Sequence, residues 1–312
     1  MRFSHFCKHV LVTAAATAVA ACGGGGGGGG VESTPPPPPP PPPPQQSSAV
    51  NIFANPTPGT FASVSVSGTT TGSGPSLGLG SISKADGDHV HIRYSSDGNY
   101  EIQMPGAAFE KLTFAKGVVP QDPETFNFFQ PASAPQNGAY LVTENARLQG
   151  YNYSELAAWF DGGSRIGEVA FGTPTASGQV PVSGSATYSG IVRGTSDVVA
   201  FDSFDGHFLS RVTGTVDLNF DFAKGSLGGS VDLSLSAFSS TSLGTFNFTD
   251  TIYSAGSTTY SGKFNTPASG QNYFFGQFTG PHAEETIGAW ALPFQYDGGA
   301  HQAFGAWIAK KP

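Results

Sequence analysis

From about residue 178 to the end of the chain, apolar side chains recur at every second position, and this period constrains the fold more than any other feature. Eight runs carry it: 186–192, 212–222, 231–237, 246–252, 260–264, 273–278, 287–294 and 304–308. In the second run Val212, Val216, Leu218, Phe220 and Phe222 share one face, whereas Thr213, Thr215, Asp217, Asn219 and Asp221 share the other. Successive side chains on a strand point to opposite faces, so each run reads as a strand with one apolar side. The turn signals Ala223-Lys224-Gly225-Ser226, Ala255-Gly256, Pro267-Ala268-Ser269-Gly270 and Asp297-Gly298-Gly299 separate runs. Eight strands on short turns predict an antiparallel up-and-down β-barrel, whose closure removes exposed edges. Val216, Leu218, Phe220, Leu233 and Leu235 are expected to point inward. Residues 179–312 are expected to fold on their own.

The rest of the chain is also predicted to be all-β. Only 12% of the residues are charged, while glycine (43) and phenylalanine (25) are frequent, which suits short strands and tight turns. Val90, Ile92 and Tyr94 alternate with polar residues, as do Tyr100, Ile102 and Met104 after Ser95-Ser96-Asp97-Gly98, which predicts a hairpin. Residues 45–80 read as loops or an edge strand, 105–138 as irregular, and 154–160 as a strand or one helical turn.

The N-terminus has a different character. Arg2, Lys8 and His9 precede an apolar run at 10–20 that is too short to span a bilayer and has the charge order of a secretory signal. Val19-Ala20-Ala21-Cys22 resembles the lipobox of bacterial lipoproteins, which implies cleavage after residue 21 and acylation of Cys22. Glycine fills 23–30 and proline fills 35–44. Polyproline is extended at about 3.1 Å per residue, so 22–49 is expected to be a disordered stalk. With Cys7 lost and Cys22 acylated, no cysteine is left for a disulfide.

Alternation does not say which barrel face is inside, and a membrane barrel shows the same period. A lipid anchor would be redundant there, and the chain ends in Lys310-Lys311-Pro312 rather than an aromatic interface residue. The net charge of −8 argues against nucleic acid as a partner.

The run Gly276-Gln277-Phe278-Thr279-Gly280-Pro281-His282-Ala283-Glu284-Glu285-Thr286-Ile287-Gly288 resembles a hairpin of the transferrin-binding protein B-like surface lipoproteins. Ala303-Phe304-Gly305-Ala306 resembles their closing strand, and Phe171-Gly172-Thr173-Pro174-Thr175 with residues 181–190 resembles their lead-in to the barrel. The resemblance implies one lobe: a β-rich handle-like domain at 50–178, then an eight-stranded barrel at 179–312. It further implies a monomeric, non-catalytic outer-membrane lipoprotein, lipid-anchored and surface-exposed, that binds a protein or an iron- or haem-related ligand through exposed loops. The alternative is a structural envelope lipoprotein without a specific ligand. Gly280, Pro281 and Glu284 are scaffold in this comparison.

No nucleophile elbow, zinc-protease helix or phosphate loop occurs, so no catalytic residue, cofactor or metal is assigned. His89 and His91 are spaced to chelate a metal from one strand face, although Arg93 suits that face to solvent. The adjacent Glu284 and Glu285 read as scaffold. Trp159, Trp290 and Trp307 read as core. Candidate ligand-binding aromatics are Phe126, Phe128 and Phe129 in a loop at 117–138, and Phe201 and Phe204 in a loop at 194–206. Aromatic side chains dominate interface hot spots because they give large contact area at low entropic cost.

Overall fold

The computed structural model of the protein describes residues 56–114, 127–133, 138–202, 206–236 and 240–312. All lie in one compact unit, Gln46–Pro312. Cys22, the glycine and proline runs, Phe126 and Phe204 lie outside the described residues.

Ten strands precede the barrel: β1 (Gly59–Thr60), β2 (Ala62–Thr71), β3 (Gly78–Ser83), β4 (His91–Tyr94), β5 (Tyr100–Gln103), β6 (Phe109–Phe114), β7 (Asn127–Pro131), β8 (Tyr140–Thr143), β9 (Ser154–Phe160) and β10 (Arg165–Gly172). They form one antiparallel sheet, ordered β1-β4-β5-β6-β7-β8-β9-β10-β2-β3, here called the handle. The hairpin read at 90–104 is present as β4 and β5, with Ile92 opposite Ile102. Both are buried in a core with Val90, Leu141, Trp159, Val169 and Phe171.

Two expectations require correction. The segment 45–80 holds the ten-residue β2, flanked by β10 and β3 and therefore not an edge. Its apolar residues, Val64 and Val66, alternate with Ser65 and Ser67, and all four are buried. Serine can be buried there because its hydroxyl finds a partner: Ser65 donates to the Glu168 carbonyl at 2.7 Å. The segment 105–138 contributes the strands β6 and β7 rather than irregular chain alone.

The barrel closes through β11 (Ser185–Asp202), β12 (Gly206–Asp221), β13 (Ser226–Ser236), β14 (Ser240–Ile252), β15 (Thr259–Phe264), β16 (Tyr273–Thr279), β17 (Glu285–Tyr296) and β18 (Gly299–Lys310), each beside the next, with β18 returning to β11. Every alternating run has become one of these strands. The apolar face is the interior: Val216, Leu218, Phe220, Leu233 and Leu235 are buried in one cluster with Tyr188, Trp290 and Trp307. Phe220 lies among Phe278, Tyr253 and Tyr260, with centroid separations of 4.8, 5.1 and 5.2 Å. On the outer face, Thr187 and Ser189 donate to Asn219 and Asp217. The barrel interior is therefore packed with side chains, as in small barrels generally.

The strands β17 and β18 are buried on both faces. Inside, Gly288 pairs with Trp307, whose indole lies against the glycine where any Cβ would collide. Outside, Ile287, Ala289, Ala291, Phe304, Ala306 and Ile308 meet Val64, Val66, Leu156 and Ala170 of the handle. The alanines let the sheet approach closely. Polar contacts fix the same junction. Ser154 and Thr279 share a hydroxyl hydrogen bond of 2.7 Å, and the Thr175 hydroxyl donates to the Gly280 carbonyl at 2.7 Å.

Candidate functional site

The residues Gly280 to Glu284 form the tip where β16 turns into β17. Gly280 has φ +86°, and a Cβ there would strike the Glu284 carboxylate and the Tyr153 ring. Glu284 accepts the His282 backbone N–H at 2.8 Å, while Glu285 accepts those of Asn152 and Tyr153. Both carboxylates are structural. Trp159, Trp290 and Trp307 are core residues. His89 lies just before β4, not on it: it follows a short 3-10 turn, and its Nε2 is 3.4 Å from the Ser83 carbonyl. Burial lowers its pKa. His91 Nε2 stands 3.5 Å from Asp86 Oδ1. Among the described residues, no group of three or more potential ligands is placed to hold a metal.

A cleft opens where the handle sheet extends past its contact with the barrel. Phe128 of β7 and Tyr140 of β8 line its handle wall, and with Phe160 of β9 they share a face and touch in sequence, with centroid separations of 6.3 and 5.5 Å. Cross-strand pairing places them there: Tyr140 is opposite Phe160, and Phe128 is opposite Val142. Phe128 and Tyr140 are 38% and 39% exposed, unusual for large apolar rings. The facing wall comes from β11 and β12, with Thr195, His207, Phe208, Leu209 and Arg211. The cleft is open to solvent and has a volume of about 560 Å³.

Where the walls converge, Glu168 of β10 is buried. Thr195 Oγ1 donates to its Oε1 at 3.4 Å, and Oε2 has no hydrogen-bond partner. Burial pushes this carboxyl up to about 7, against the favourable field of Arg211. Nearby, Glu144 pairs with Arg193 at 3.1 Å and so ties the handle to β11. Glu155 accepts the Ala146 and Leu156 backbone N–H groups, and burial pushes its carboxyl up to about 8.

The structure separates the aromatics proposed from sequence. Phe128 lines the cleft. Phe129, its neighbour on β7, turns to the opposite face and packs against the handle core, as alternation requires, so it does not belong to this site. Phe201 is not in a loop: β11 runs through to Asp202, with a register shift between Thr195 and Val199. Its ring is 56% exposed and 4.7 Å from that of His207, at the cleft's outer end. Tyr140, Glu168 and Arg211 were missed. Tyr140 begins a stretch that is ambiguous in sequence, and only the pairing of β8 with β7 and β9 reveals its aromatic neighbours.

Residues 180–311 match the family model of the C-lobe and N-lobe beta barrels of Tf-binding protein B. The barrel is thus similar in sequence to the lobe barrels of transferrin-binding protein B. Solved structures similar to this transferrin-binding protein B-like chain include a variant of Transferrin Binding Protein B from Haemophilus parasuis Hp5. It is 14% identical, with a TM-score of 0.38, over 72% of this chain and 51% of that one. The apo haemoglobin receptor HpuA from Kingella denitrificans is 15% identical, with a TM-score of 0.40, over 84% of this chain and 92% of that one. The chain thus spans about half the length of the Haemophilus protein. No curated protein sequence matches it.

Proposed function

We propose that this protein is an outer-membrane lipoprotein, anchored through Cys22 and displayed at the cell surface, that captures a protein or an iron- or haem-related ligand without catalysis. The 22–49 stalk lifts the handle–barrel lobe from the membrane. The observation that carries the reading is the cleft: Phe128 and Tyr140 stand exposed side by side on the sheet face whose Val64, Val66, Leu156 and Ala170 are covered by the barrel. Exposed aromatic pairs beside a concave surface are the features of a binding site rather than of a spacer. The barrel family supports the same reading, since its model is drawn from a protein named for binding transferrin.

The test is capture by immobilised residues 46–312 from a panel of host serum proteins, iron carriers and haem. Saturable capture of one species, lost on Phe128→Ala or Tyr140→Ala, is the expected result. Capture of nothing would favour the structural envelope role.

A further inference from the structure

The cleft carries a chemical preference at its closed end. Glu168 is 2% exposed, held between Ala158 of β9 and Val66 of β2, and its Oε2 lacks a donor. Leaving a buried carboxylate oxygen without a donor is costly, and native structures rarely do so without reason. The neighbouring charged groups do not pair with this oxygen. Arg193 is committed to Glu144, and Arg211, exposed on the opposite wall, favours the ionised form of Glu168 without pairing with it. The approach to Glu168 passes the rings of Phe128 and Tyr140 and the apolar Val142 and Leu209.

A guest that fits must be apolar and flat along its length and must donate hydrogen bonds at its tip. An arginine side chain has this form. Its methylenes pack on apolar walls, its guanidinium stacks on aromatic faces, and its planar fork matches a carboxylate. A chain with a net charge of −8 also favours a basic partner. We propose that Glu168 anchors a subsite for an arginine side chain presented by a protein partner, with the guanidinium donating to Oε2 and the stem lying against Tyr140 and Phe128. This rests on the ligand-capture reading above and names the chemistry by which the partner is held.

The test uses the full chain and two blocked tripeptides, acetyl-Gly-Arg-Gly-amide and the same peptide with citrulline, which keeps the shape of arginine and removes its charge. Titration calorimetry at pH 7.5 should show the arginine peptide binding about tenfold tighter or more, the scale of one charge-assisted hydrogen bond. Glu168→Gln should abolish the preference, and Tyr140→Ala should weaken the arginine peptide several-fold. Equal binding of the two peptides, binding of neither, or an arginine preference that survives Glu168→Gln would overturn the assignment. If circular dichroism shows that Glu168→Gln disturbs the fold, the comparison of peptides on the unaltered chain decides alone. Failure here, with ligand capture still dependent on Phe128, would end the arginine subsite and leave the capture function standing.

Discussion

Glu285, at the start of β17, accepts the backbone N–H of Asn152 in the handle at 2.6 Å, and its other oxygen accepts that of Tyr153 at 3.1 Å. One barrel carboxylate thus serves the handle chain just before β9, where no strand lies alongside to do so. Glu285→Ala leaves both N–H groups without this acceptor. A loss of about 2–3 kcal/mol is expected, the range for hydrogen bonds to a charged group. Urea unfolding of the two proteins measures it, and an unchanged midpoint would contradict the role.

The barrel and handle should not be separable. Expressed alone, residues 179–312 would uncover Ile287, Phe304 and Ile308, which the handle buries. The expectation from sequence that residues 179–312 fold on their own is the alternative that this fragment tests. The fragment should bind a hydrophobic dye and aggregate, whereas the chain from residue 46 should do neither. A monomeric fragment that binds no dye would show the junction to be dispensable.

The barrel was legible because its alternation is nearly complete: in β12, Val212, Val216, Leu218 and Phe220 are buried, and Arg211, Thr215, Asp217 and Asn219 are exposed. Where two sheets meet, the same pattern misleads. Residues 287–294 read as alternating because Trp290, Leu292 and Phe294 are large, yet Ala289 and Ala291 between them are equally buried against the handle. A near-continuous apolar run is the signal of a strand covered on both faces. The β2 strand was missed for the opposite reason, since Ser65, Ser67 and Gly68 share its buried positions with Val64 and Val66. The cleft was only half legible. Phe128 was visible as an aromatic in a polar stretch, but Tyr140 and Glu168 reach it through pairings that connect residues far apart in sequence.

Stability should fall as pH rises from about 4.5 to about 8. The carboxyls of Glu155 and Glu168 are pushed up by burial to about 8 and about 7, from an ordinary value of 4.5. Between 4.5 and these values the folded state holds more protons than the unfolded one. The stabilisation is therefore complete below pH 4.5 and is lost as pH passes through 7 to 8. Melting temperatures at pH 5.5, 7 and 8.5 should decline, and Glu155→Gln should flatten the slope. A melting temperature that rises over this interval would contradict the assignment.

Cys22→Ser should abolish acylation and release the protein from membranes. A single acyl chain gives only marginal membrane binding and two signals give stable anchoring, so the released fraction should be nearly complete. Metabolic labelling with a fatty acid, followed by membrane fractionation, reads both effects. Label retained by the variant would rule out Cys22 as the anchor.

Capture at the cleft is the central proposal. The direct measurement is the affinity for the captured species of the unaltered chain, of Phe128→Ala and of Tyr140→Ala, each with its melting temperature. Both rings are more than a third exposed, so their removal should leave the melting temperature within about 2 °C, the range of a surface substitution. Affinity should fall by about tenfold or more for each, as for hot-spot aromatics. Undiminished affinity in both variants, with the melting temperature unchanged, would place capture elsewhere on the lobe and contradict the account.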